Sequence, residues 1–96
     1  MKQLIRNATH NSSKSHDCLL AEMKSQKIKI TYEAYNASEK CTTEFFDGNR
    51  WNPIFSLWDM GVEPNNSAYN IWDAQKRKSR ADELFKQAEA MCRMLL

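Results

Sequence analysis

From about Ser67 to Leu96 the chain has neither proline nor glycine. Within that stretch Ala81, Leu84, Phe85, Ala88, Met91, Cys92 and Leu95 recur at spacings of three and four, the period of an amphipathic helix. Ala68, Tyr69, Ile71 and Trp72 form a second apolar group upstream, and the run KRKSR at 76–80 interrupts the stripe. A single helix of about 28 residues would span roughly 42 Å at 1.5 Å per residue, whereas a domain of this size has a radius of gyration of about 12 to 13 Å. Such a helix either projects from the domain or breaks near Lys78. Both outcomes leave apolar positions in need of a partner.

A different period appears earlier. In KIKITYEAY, residues 27–35, Ile28, Ile30, Tyr32 and Ala34 alternate with Lys27, Lys29, Thr31 and Glu33, which predicts a half-buried strand. CTTEFF at 41–46 reads as its partner, closed by Asp47-Gly48-Asn49. A two-stranded hairpin is marginal in water, so helices are expected to cover it. Asn52-Pro53 has the form of an N-cap and a first helical residue, and Gly61 that of a left-handed stop; together they predict a short helix over 53–60. Residues 1–13 are polar without sustained period and are expected to be a flexible N-terminal segment. Ser15 is expected to cap a further short helix carrying Asp17, Cys18, Leu19 and Met23. The expectation is an α+β fold, a small single domain over 1–96 in which one β-hairpin packs against a short Trp-rich helix and a long C-terminal helix.

Composition sets the broad class. At 96 residues, with 42% hydrophobic and 27% charged side chains, the chain is long enough for one modest core and too apolar to be disordered. No apolar run approaches the roughly 20 residues that span a bilayer, and no apolar segment of about 7 to 15 residues marks a secretory signal at the start. Three cysteines, Cys18, Cys41 and Cys92, leave one over in any pairing and fit a reducing cytoplasm. A net charge of +2 is not the footprint of a dedicated nucleic-acid binder.

No catalytic signature is present. His10, His16, Cys18 and Cys41 are soft enough for zinc, but their spacing lacks a paired C-x2-C element. His16 and Cys18, two residues apart, would face different ways on the expected helix and could not work as base and nucleophile. With only Gly48 and Gly61 in the chain, a glycine-rich phosphate loop is excluded. The reading is a protein that is not an enzyme and has no cofactor or metal.

Aromatic residues suggest a binding role instead. Trp51, Phe55 and Trp58 stand at i, i+4 and i+7, followed by Pro64, Tyr69 and Trp72. These rings serve either as core or as an interface, and a helix of two turns has little room to hide them all, which favours a contact surface. Lys76, Arg77 and Arg80 would form its charged rim; the alternative is that residues 76–80 contact phosphates while Tyr69 or Trp72 stacks on bases. The Glu63-Pro64 bond lies in a setting where the cis isomer is often populated.

In its length and in the segment FDGNRWNPIFSLWDMGVEPNNSAYNIWDAQ, residues 46–75, the chain resembles the anti-RecBCD accessory proteins of lambdoid phages. The resemblance implies a non-enzymatic phage inhibitor that binds the host RecBCD nuclease-helicase complex in the host cytoplasm and modulates its degradation of DNA ends. Anti-CRISPR inhibitors share this size and style. No residue role is carried over from either group.

Overall fold

A computed structural model describes residues 1–35, 38–64 and 73–96. Five strands follow one another, β1 (Lys2–His10), β2 (Lys14–Met23), β3 (Gln26–Tyr35), β4 (Ser38–Phe46) and β5 (Trp51–Ser56), and a helix, α1 (Ala74–Leu95), lies last. The strands pair antiparallel in chain order into one sheet, and α1 packs on one of its faces, against β1, β2 and β3. The fold is α+β, with a five-stranded meander in place of the single hairpin expected.

The two periodic signals hold, except that in the helical stripe Met91 is half-buried and Leu95 is exposed. On β3, Ile28, Ile30, Tyr32 and Ala34 are all buried, and they lie in register with Ala21 and Leu19 of β2 and with Cys41 and Thr43 of β4. Ala81, Leu84, Phe85, Ala88 and Cys92 of α1 close over that layer. The helix begins at Ala74, where the Asp73 carboxylate caps it by accepting from the backbone N–H of Gln75 at 2.8 Å. It runs unbroken through Lys78. Its 22 residues reach roughly 33 Å at 1.5 Å per residue, inside the 39 Å long dimension of the molecule. The described helix therefore lies along the sheet and neither overhangs nor breaks. The run 76–80 does not interrupt the buried stripe, because Arg77 is itself part of it.

Three sequence expectations are corrected. Residues 51–56 are strand and not the start of a helix over 53–60. The Asn52 side chain donates to Asp47 Oδ2 at 2.8 Å instead of capping, and Asp47 also accepts from the backbone N–H groups of Asn49 and Arg50. Those donors, the Arg50 N–H first, hold the Asp47 carboxyl below its ordinary range. They fix the β4–β5 turn, with Gly48 at φ +101°. Pro53 is tolerated because β5 is an edge strand and its ladder is irregular opposite Thr43 and Glu44. Phe55 and Leu57 then enter the core at a spacing of two. A turn follows in which Asp59 accepts from the Ser56 N–H at 2.7 Å and Gly61 takes φ +76°, the left-handed conformation expected of it, though at the end of a turn.

The second correction concerns 15–23, which is β2 and not a helix. Its inward set is Ser15, Asp17, Leu19, Ala21 and Met23, at a period of two. Residues 1–13, expected to be flexible, supply β1, whose polarity reflects an edge position with most side chains exposed. Lys24 and Ser25 form the two-residue β2–β3 turn, both at positive φ, as a type I′ turn requires.

Candidate functional site

Beneath α1 the covered face holds two polar networks. In the first, Arg6 of β1 grips Asp17 of β2 with two bonds, Nε to Oδ1 at 3.0 Å and Nη2 to Oδ2 at 2.6 Å, and reaches Asp82 of α1 at 2.6 Å. The bonds to Asp17, and then to Asp82, raise the Arg6 pKa against the opposing effect of burial, so its charge is permanent. His10 joins the same carboxylate through Nε2 at 3.1 Å, and its Nδ1 lies 2.8 Å from Ser15 Oγ. Arg77 of α1 donates from Nε to Ser15 Oγ at 2.6 Å and from Nη2 to the Asn11 carbonyl. With the proton of His10 on Nε2, every link has a donor and an acceptor: Arg77 to Ser15, Ser15 to His10, His10 to Asp17.

Serine, histidine and aspartate in a hydrogen-bonded chain form the set used in nucleophilic catalysis. Here Ser15 is only 3% exposed and Asp17 is fully enclosed. The serine oxygen is held by a guanidinium of its own chain. This arrangement ties β1, β2 and α1 together. The second network does the same for β3, β4 and α1: Tyr32 donates to Glu39 at 2.9 Å, and Arg80 donates to Glu39 Oε1 through Nε at 3.1 Å and Nη2 at 2.9 Å. Arg80 also reaches the Glu63 carbonyl at 3.2 Å and so holds the segment leading to Pro64.

The sequence assigns the members of these networks other roles, Arg77 and Arg80 as a charged rim, Ser15 and Asp17 as a helix start and His10 as a soft donor, and nothing in their spacing joins them. Arg77 is 2% exposed, and Arg80 is turned to Glu39, so the proposed charged rim is withdrawn for both. Phe55 is likewise core and not contact surface. Lys76 is exposed. Tyr69 and Trp72 lie outside the described residues. The Glu63-Pro64 bond is trans, and Pro64 is half-buried. His10 and Cys41 face the helix while His16 and Cys18 share the opposite face, so the four soft donors do not converge. Among the described residues no cluster of three or more such side chains is placed to hold a metal ion. No described helix is long and apolar enough to cross a membrane.

The open face keeps the rings. Trp51 packs on Phe46, ring centroids 5.2 Å apart and tilted by 48°, and Lys29 Nζ sits 4.6 Å above the indole. Farther along β5, Pro53 and Ile54 stand exposed, Ile54 at 46%, and Trp58 in the following turn reaches 63%. Much of the rest of the open face carries opposite charges and threonines, with Lys29 beside Glu44 at 3.8 Å and His16 beside Glu33 at 4.0 Å. Away from β5, Ile5 and Tyr35 are also exposed on this side, at 52% and 58%. No family model, curated protein or solved structure matches this chain.

Proposed function

We propose that the protein acts without catalysis, by binding another protein through the β5 end of its open face. The observation that carries this reading is Trp58, exposed at 63% beside exposed Ile54 and Pro53, in a protein whose other large apolar residues mostly have cover. Tryptophan, with tyrosine and arginine, is enriched among the residues that anchor protein interfaces. The inward turn of Arg77 and Arg80 weighs against the phosphate-binding alternative, since it leaves Lys76 and Lys78 as the outward cations of that run. The likeness of residues 46–75 to phage anti-RecBCD proteins supports the RecBCD complex as the first partner to test.

The test is affinity for purified RecBCD, with wild type beside Trp58→Ala and Ile54→Ala. Trp58→Ala should weaken binding by about thirtyfold, a loss of about 2 kcal/mol, and leave the melting temperature unchanged because the ring is exposed. A wild type that does not bind removes this partner. Unchanged affinity in both variants removes the surface.

A further inference from the structure

β1 forms the other edge of the sheet, and among the described residues its outer ladder is unpaired. After a bulge at Leu4, residues Ile5–His10 pair with β2 without interruption, from Ile5 opposite Leu20 to His10 opposite Ser15. This run has no proline, and Ile5, Asn7 and Thr9, which it sends to the open face, are uncharged; Ile5 is 52% exposed. Sheets commonly block such edges with proline, bulges or charge. β5 has Pro53 and an irregular ladder, whereas on β1 the bulge and the exposed Lys2 come before Ile5. Arg6, the only charged residue of the run, is bound to Asp17 and Asp82 on the helix side.

Helix α1 runs antiparallel to this edge. Met1 meets Glu89, Arg6 meets Asp82, and the Asn11 carbonyl meets Arg77. A groove of about 270 Å³ lies between strand and helix, lined among others by Gln3, Arg6, Phe85 and Lys86. Lys78, Asp82 and Lys86 follow at i, i+4 and i+8 on the flank above it. Arg6 neutralises Asp82, while among the described residues Lys78 and Lys86 have no ion-pair partner, so the flank presents two unmatched cations.

We propose that the Ile5–His10 edge accepts an added strand from an acidic, extended segment of another protein. The backbone of that segment continues the ladder, one side-chain row lies beside Ile5, and the other faces the groove. Lys78 and Lys86 are roughly 12 Å apart along the helix, near two steps of about 6.8 Å between same-face residues of a strand. Carboxylates at positions i and i+4 of the segment therefore meet both lysines. A second copy of β1 does not fit, because its only charges are Lys2 and Arg6 and it offers no acid.

The proposal is independent of the Trp58 surface and is tested with a nine-residue synthetic peptide of alternating threonine and valine, with glutamate at positions 3 and 7. Titrated into the full chain, it should slow amide exchange at alternate residues of Ile5–His10. Affinity should fall about tenfold in a Lys78→Glu/Lys86→Glu double variant and by a similar factor for the same peptide with lysine at 3 and 7, as expected for two solvent-facing ion pairs, and Trp58→Ala should leave it unchanged. The proposal is overturned by equal binding of the two peptides, by protection on another strand, by no binding at millimolar peptide, or by β1 amides already protected in a concentration-dependent dimer.

Discussion

On the face beneath α1, Asp17, Glu39 and Arg77 are enclosed; Trp51 on the opposite face is only half-buried, and Ile54 and Trp58 at the β5 end stand toward solvent. Polarity by itself therefore does not sort the residues of this sheet. What sorts them is whether a partner is within reach. Each enclosed charge has hydrogen-bonded counterparts on a different element, and burial of a charge is tolerable only under that condition. The rings of the open face have partial cover, from Phe46 and Lys29 at Trp51 and from almost nothing at Trp58.

Residues of matched position on the two faces turn this contrast into measurements. The largest effect is expected at neighbouring positions of β2. Asp17→Ala should destabilise by about 3 kcal/mol, because it removes the enclosed carboxylate that Arg6 and His10 share and leaves Arg6 with Asp82 alone. His16→Ala, one residue away on the open face, removes only a pairing with Glu33 at 4.0 Å and should stay within about 0.5 kcal/mol. Urea titration of both variants is the check. A loss below about 1 kcal/mol at Asp17 would mean that the network contributes little to holding the strands and helix together.

The same contrast explains what was legible in the sequence. On β3 the covered side is Ile, Ile, Tyr and Ala, so period and burial coincide and the strand was read with its correct face. On β2 the covered side begins with Ser15 and Asp17, which look like a helix cap and first turn until their partners Arg77 and Arg6 are known; those partners are 62 and 11 residues away. On β1 the edge position removes the need for an apolar side, leaving a strand with the composition of a loop. At Asn52-Pro53 a strong local cap signal lost to Asp47, whose carboxylate claims the asparagine amide, and to the burial of Phe55 and Leu57. The basic run showed where cations were, and not that Arg77 faces inward. Of the proposed contact surface, Trp58 was expected to be exposed on a two-turn helix too short to hide its rings; that helix is instead a strand and a turn, and Trp58 is exposed in the turn.

A second pairing uses the cysteines. Cys41 and Cys92 are buried on the covered side, while Cys18 is half-exposed on the open face. Burial, assisted by Glu39 at Cys41 and by Glu89 at Cys92, pushes the thiols up from 9.0 to about 12 and about 11. Burial and Glu39 also raise Tyr32 above its ordinary value. The two thiols stay neutral in the folded state at a pH where the unfolded chain ionises, so their contribution is complete below pH 9.0 and is lost as pH rises toward 11 and 12. Each thiol should cost about 1.4 kcal/mol per pH unit across that window. Urea midpoints should fall steadily above about pH 9, the ordinary thiol value, and in the native protein a thiol reagent should label Cys18 well before the other two. Equal labelling rates at neutral pH would show that the covered face opens on the timescale of the reaction.

The smallest effect is the sharpest comparison, because it uses one residue type at two adjacent positions of β4. Thr42 lies on the open face and Thr43 beneath the helix, opposite Ile30. Among the described residues, Thr43 Oγ1 is the buried side-chain oxygen with no hydrogen-bond partner. It breaks the condition that every other enclosed polar group of this face meets. Valine has nearly the same shape and leaves no unpaired hydroxyl, and it also suits a strand better. Thr43→Val should therefore stabilise the protein by about 1 kcal/mol, whereas Thr42→Val, where water already serves the hydroxyl, should change stability by less than about 0.5 kcal/mol. Differential scanning calorimetry would resolve the first as a rise of several degrees in Tm for a domain of this size. A destabilised Thr43→Val would mean that the hydroxyl has a bound partner, and the rule that partners sort this sheet would then hold without exception.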